Sequence, residues 1–122
     1  MIILVTGAAG LIGTELCRQL VHKGHKVIAI DNMSRSGEIP KCHQFYHEDL
    51  CNSLKFLESV QDSVEVIYHL AAINGTSNFY ERPNEVLSNN IKSDLNIFKF
   101  AEDCKNLKKI FYASSSEVMS HV

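Results

Sequence analysis

No apolar run in this chain of 122 residues approaches the length of about eighteen that a membrane-spanning helix needs. The apolar start has no basic segment ahead of it, so it does not read as a secretory leader. Positive charge is in short supply as well: 12 Lys and Arg against 14 Asp and Glu give a formal net charge of −2, with no basic run. That leaves no electrostatic footprint for nucleic acid or for an anionic membrane surface, and neither is expected as a partner. Cys17, Cys42, Cys51 and Cys104 contain no C-x-x-C pair, and at 45% apolar residues the chain can bury a core without disulfide staples. Reduced thiols in a cytoplasmic protein are the expectation. His43 and His47 stand four apart, but residues 44–48 read as a strand, where that spacing merely places both on one face. No metal site is expected.

What the chain does have is concentrated in residues 1–13. Ile2, Ile3, Leu4 and Val5 form a continuous apolar run, the pattern of a strand covered on both faces in a parallel sheet. Gly7-Ala8-Ala9-Gly10-Leu11-Ile12-Gly13 follows, and then a helical pattern over residues 11–23 with Leu16, Leu20 and Val21 at helical spacing. A pyrophosphate must come close to the backbone and to the helix N-terminus to collect N–H hydrogen bonds, and a Cβ would obstruct it. Gly7 can make the tight turn, Gly10 can admit the phosphate, and Gly13 can let the helix pack on the strand. The G-x-x-G-x-x-G spacing is one residue longer at its first gap than the dinucleotide fingerprint, and a glycine triplet alone also suits a plain strand-to-helix turn.

Context decides between the two. Residues 26–30 read as a second strand, with Asp31 at its carboxyl end, where a carboxylate can accept both ribose hydroxyls and repel a 2′-phosphate. NAD is therefore expected rather than NADP, with Arg35 the one nearby residue that could serve a 2′-phosphate.

Thr6-Gly7-Ala8-Ala9-Gly10-Leu11-Ile12-Gly13 followed by Asp31-Asn32-Met33-Ser34 resembles the start of an extended short-chain dehydrogenase/reductase of the sugar-nucleotide epimerase and dehydratase branch. The likeness runs to about Met119 and covers less than half of the family's pattern. It implies a Rossmann-like, doubly wound parallel α/β sheet of about five strands in the order 3-2-1-4-5, one NAD(P)-binding domain over residues 1–122, and no substrate domain. Strands are expected at residues 44–47, 64–72 and 109–113, and helices at 53–60 and 84–104, the latter with Asn84 as N-cap and Leu87, Ile91, Leu95 and Phe98 as its main apolar stripe. Ile97, Phe100 and Cys104 add a second flank, so that helix needs two partners. In the resembled family such a helix often pairs with its counterpart in a homodimer.

The resemblance also implies roles. Gly7, Gly10, Leu11, Ile12 and Gly13 would receive the pyrophosphate, and Asp31 and Asn32 the adenosine ribose. Asp49 and Leu50 would touch adenine, although Asp49 could equally cap the helix at 53–60. Leu70, Ala71 and Ala72 of the His69-Leu70-Ala71-Ala72 motif would line the dinucleotide's path, with His69 a packed core residue. Gly75 and Thr76 would meet substrate, and Asn90 would support the active-site backbone. The family's usual Gly-Thr pair is here Ser93-Asp94, taken as a departure on the helix surface. Ser114 would lie beside the cofactor, Ser115 matches the catalytic Ser or Thr, and Glu117 an auxiliary acid or base. Dehydratases usually present Asp-Glu there. Ser116-Glu117 lacks that Asp, which argues against 4,6-dehydration and leaves epimerisation, or decarboxylation of a uronic-acid sugar, open.

The family's Tyr-x-x-x-Lys is absent: Tyr46, Tyr68, Tyr80 and Tyr112 are followed four residues on by Leu50, Ala72, Asn84 and Ser116. The reading is thus the cofactor-binding N-terminal part of an epimerase, inactive by itself, with an exposed fifth strand left uncovered. Its alternatives are a stand-alone NAD-sensing module and an NADPH-dependent carbonyl reductase of the same superfamily.

Overall fold

Five short strands organise the chain in the computed structural model, which describes residues 1–34, 38–71 and 83–113. They are β1 (Ile2–Thr6), β2 (Lys26–Asp31), β3 (Gln44–His47), β4 (Val66–His69) and β5 (Lys109–Tyr112), with helices α1 (Leu11–His22) and α2 (Pro83–Glu102) between them. All pair in parallel in the order β3-β2-β1-β4-β5, as the right-handed crossover rule requires. The fold is a Rossmann-like α/β sheet.

Because side chains alternate along a strand, the apolar runs of β1 and β2 feed two cores. Leu4, Ile28, Ile30 and Ile67 point to one face, where Ile97 and Phe100 of α2 meet Leu50, Leu57 and Val64. Ile3, Val5, Val27, Ala29 and Val66 point to the other, against Cys17 and Leu20 of α1. Each fully buried Leu or Ile contributes about 1.5–3 kcal/mol, which is what holds both helices to the sheet. Gly24, at φ +90°, ends α1: its N–H bonds Val21 O at 3.0 Å while His25 N–H reaches back to Leu20 O at 3.1 Å.

Several elements differ from expectation. Residues 53–60 form no α-helix; two 3-10 turns, Lys55–Leu57 and Gln61–Ser63, stand there. Leu54, Leu57 and Val60 recur every three residues and all face the core, a period that suits the three-residue turn better than 3.6. Asp49 accordingly caps no such helix: its Oδ1 accepts the Cys51 N–H at 2.9 Å. β4 is shorter than residues 64–72 at both ends. Asn84 lies inside α2, which begins at Pro83, where a missing N–H costs nothing.

The two apolar flanks of α2 are told apart by the sheet. Leu87, Ile91 and Leu95 are 51–64% exposed and Phe98 is 39% exposed, whereas Ile97 and Phe100 are buried. The flank counted second is the one that packs. With it, Ser93 and Asp94 turn inward rather than lying on the surface.

Candidate functional site

In a wholly parallel sheet every strand ends at the same edge, so the exits of β1, β2, β4 and β5 converge there with the N-terminus of α1. The glycine-rich turn leaves β1 at that edge. Gly7 sits at φ +64°, and a Cβ on it would stand 2.8 Å from Ala71 N and Leu70 C, so only glycine lets the β1 and β4 exits abut. At Gly13 a Cβ would lie 2.3 Å from Gly7 O, which is why α1 can start so close beneath the turn. Gly10 is different: its backbone is extended at φ −72° and a Cβ there would meet only Gly7 O at 3.3 Å.

Gly10 is also the N-cap of α1, and no side chain caps the helix. The first N–H groups of a helix have no partner within it. Those of Leu11, Ile12 and Gly13 therefore stand at the positive end of the helix dipole beside the most open glycine of the turn, an arrangement that can hold an anion such as a pyrophosphate. Leu11 and Ile12 are strongly exposed around it.

Asp31 ends β2 next to this turn. Its Oδ2 accepts the Ala9 N–H at 2.9 Å and its Oδ1 the Met33 N–H at 2.6 Å, the second bond holding Met33 in the left-handed region at φ 60°. Each carboxylate oxygen keeps a further lone pair, so the group can still accept a ribose hydroxyl. Asn32 is exposed, and its carbonyl is within 3.1 Å of His47 Nε2. Asp49 is exposed on the turn after β3, while Leu50 is buried in the core and its carbonyl accepts the Asn96 side-chain N–H at 2.7 Å. Leu70 and Ala71 lie against Gly7, and Asn90 is half-buried on α2. Ala72, Gly75, Thr76, Ser114, Ser115 and Glu117 lie outside the described residues.

A buried polar network beneath the edge was not anticipated. Thr6 Oγ1 accepts the N–H groups of Leu70 and Ala71 at 3.0 and 3.1 Å and stands 2.7 Å from His69 Nδ1; His69 Nε2 is 2.8 Å from Asp94 Oδ1. Tyr112 donates its hydroxyl to Asp94 Oδ2 at 2.8 Å, which holds the phenol pKa above its usual value. Burial depresses the His69 pKa, with Asp94 pulling the other way. The available signal was Ile97: taking it as the centre of the packed face puts Asp94, three residues earlier, on the inner side.

Thiol chemistry has no foothold among the described residues. Burial pushes Cys17 up to about 12 and Cys104 up to about 11, and it raises Cys42 and Cys51 as well. Among the described residues no His, Cys, Asp or Glu group is arranged to hold a metal ion, and no helix is long and apolar enough to cross a membrane.

Comparison with known proteins agrees with this architecture. A UDP-N-acetyl-alpha-D-glucosaminuronate decarboxylase of Bacillus cytotoxicus is 34% identical over 125 residues, covering 94% of this chain and 36% of its own. A UDP-glucose 4-epimerase of Klebsiella pneumoniae is 28% identical, covering 97% of this chain and 91% of its own. The crystal structure of a UDP-glucose 4-epimerase from Bifidobacterium longum, in complex with NAD+ and UDP, superposes with a TM-score of 0.84 at 28% identity over 97% of this chain. The chain spans 38% of that structure's length, and a similarly small share of the decarboxylase. The family described as NAD dependent epimerase/dehydratase matches residues 3–122. With that match running through nearly every residue of the sheet just described, the chain belongs to the NAD-dependent epimerase/dehydratase family.

Proposed function

We propose that this chain forms the cofactor half of an NAD-dependent nucleotide-sugar epimerase or decarboxylase. The observation that carries the reading is Gly10. The fold asks less of this position than of Gly7 or Gly13, since the backbone is extended and a Cβ would crowd a single atom, Gly7 O at 3.3 Å, yet the residue stands at the N-terminus of α1 with no side-chain cap among the described residues. A glycine that packing needs so much less than its neighbours is best explained by something that must approach the backbone.

The N–H groups of Leu11, Ile12 and Gly13, with Gly7 and Gly10 clearing the approach, would bind the pyrophosphate. Asp31 would accept the adenosine ribose hydroxyls and disfavour a 2′-phosphate; Asn32, Asp49 and Leu50 would border the adenosine. Leu70, Ala71 and Ala72 would floor the dinucleotide, and Asn90 would support the backbone over it. NAD, when bound, supplies a reversible hydride acceptor. Ser114 would lie near it, Ser115 would orient a sugar hydroxyl, Glu117 would assist proton transfer, and Gly75 and Thr76 would meet the sugar. No Tyr-x-x-x-Lys occurs in these residues, so the chain by itself is expected to bind NAD without turning a sugar over.

The outward stripe of Leu87, Ile91 and Leu95 on α2 supports self-association through that helix. Four unpaired cysteines suit a reducing cytoplasm.

Calorimetric titration of the chain with NAD and NADP tests the cofactor reading. Saturable NAD binding is expected, with NADP weaker by about tenfold or more, a difference of about 1.4 kcal/mol. Asp31→Ala should erase most of that preference. NADP binding as tightly as NAD, or no binding of either by the folded chain, would sink it.

A further inference from the structure

The ends of β1, β4 and β5 are joined by one run of hydrogen bonds through a buried histidine, and its donors and acceptors can be counted. Thr6 Oγ1 already accepts Ala71 N–H and shares Leu70 N–H with the Thr6 carbonyl, at 3.0 Å to Oγ1 and 3.2 Å to O, so the hydroxyl proton is what remains for its third neighbour, His69 Nδ1. Nδ1 is therefore an acceptor and carries no proton. At the other side of the ring a carboxylate oxygen stands 2.8 Å from Nε2, and only a protonated nitrogen can face it. Both ends specify the same tautomer, Nε2–H.

We propose that Asp94 is a positioning residue for the cofactor edge: by accepting the Nε2 proton of His69 it fixes the imidazole tautomer that turns the Thr6 oxygen toward the Leu70 and Ala71 amides, and so holds the β4 exit against the glycine-rich turn. This rests on the cofactor reading above. Tyr112 locks the other carboxylate oxygen of Asp94 and stacks on the imidazole at 5.8 Å, which ties the exit of β5 to the same device; Phe98 edges the ring at 6.4 Å. Among the described residues, Asp94 is the charged group in contact with His69, and Thr6 and Tyr112 are its other polar neighbours.

The consequence of losing Asp94 follows from the same count. With no anion at Nε2, the Nδ1–H tautomer becomes accessible and would present a third donor to Thr6 Oγ1. One of the two amides must then let go. Slack there reaches the turn directly, because Ala71 N lies only 2.8 Å from where a Cβ at position 7 would stand. Burial of His69 keeps the ring neutral near pH 7, so the choice between tautomers governs the arrangement.

The test uses the chain uniformly labelled with 15N at pH 8. Imidazole nitrogen spectra report the His69 tautomer, amide exchange reports Leu70 and Ala71, and NAD titration reports the site. Wild type is expected as pure Nε2–H. Asp94→Asn keeps an acceptor oxygen and should retain that tautomer and an NAD Kd within about twofold. Asp94→Ala should mix the tautomers, speed exchange about tenfold at Ala71, since the Leu70 amide keeps the Thr6 carbonyl as an acceptor, and weaken NAD about five- to tenfold, while urea unfolding stays cooperative. Should Asp94→Ala fail to fold, Thr6→Val removes the shared hydroxyl while leaving Asp94 at Nε2: it should keep the Nε2–H tautomer yet speed Ala71 exchange and weaken NAD, and a mixed tautomer in that variant overturns the proposal. An Asp94→Ala chain with an unmixed tautomer, or with a mixed one but unchanged exchange and Kd, overturns the proposal. Absence of NAD binding by wild type refutes the cofactor reading instead, and the tautomer and exchange measurements still judge Asp94.

Discussion

Gly13→Ala sets two well-measured effects against each other. Position 13 lies inside α1, where alanine in place of glycine is ordinarily worth about 1 kcal/mol of added stability. The added Cβ would, however, sit 2.3 Å from Gly7 O, 2.8 Å from Ala8 Cα and 2.9 Å from Ala8 C. All three are backbone atoms, so no side chain can rotate away. Nor can the turn retreat, because Gly7 is itself pressed against Ala71. Relieving a contact that short requires α1 to lift from β1, and overpacking of this kind costs about 3 kcal/mol, at the upper end of the usual range. The net expectation is a loss of about 2 kcal/mol, or about 8 °C in Tm for a domain of this size. Thermal and urea unfolding followed by circular dichroism would read it. A Tm that rises by about 4 °C would mean that helix propensity wins, and the steric account of the glycine-rich turn would be wrong.

Gly10→Ala is the complementary case: with only a 3.3 Å contact to relieve, it should change stability by less than about 0.5 kcal/mol yet weaken NAD by about tenfold or more, as unfolding and calorimetry on one preparation would show. Ser93 buries a hydroxyl with no hydrogen-bond partner, so Ser93→Ala should raise the urea midpoint by an amount equivalent to about 1 kcal/mol, whereas a loss would reveal a partner for that oxygen. The buried neutral His69 makes stability depend on pH. Its folded pKa lies below the 6.5 of a free imidazole, so its contribution is complete above about pH 7.5 and falls as the pH drops through 6.5, because the unfolded chain takes up the proton first. In urea titrations between pH 8 and 5 the decline should be shallower in His69→Gln, which cannot take up that proton; an equal decline would assign it to other groups.

The strands, their order and the glycine-rich turn could be read from the amino acids because each rests on local chemistry. Four consecutive apolar residues before Gly7, a turn residue at Gly24 and a carboxylate at Asp31 need no knowledge of the rest of the chain. α2 resisted for the opposite reason. Leu87, Ile91, Leu95 and Phe98 make as good an amphipathic stripe as Ile97, Phe100 and Cys104, so periodicity alone does not say which of the two meets the sheet. The inward face is set by what β4 and β5 offer, a histidine and a tyrosine that need a shared acceptor, and that demand is invisible until the strands are placed. The segment after β3 failed similarly, since a three-residue apolar repeat is compatible with both helix types over so short a span.

The position of β1 in the sheet has a bearing on how the protein is made. It precedes the other four described strands in the chain and is also the central one, flanked by β2 and β4. Its pairing with β2 joins Ile2 to Lys26, but its other edge pairs Thr6 with His69. At about 5–20 residues per second, the ribosome leaves that second edge without its partner for roughly 3–12 seconds. During that time Ile3, Leu4 and Val5 present an apolar strand with open hydrogen-bonding groups. A nascent chain halted before residue 66 would carry that edge open indefinitely, with the apolar side chains of β1 uncovered on that side.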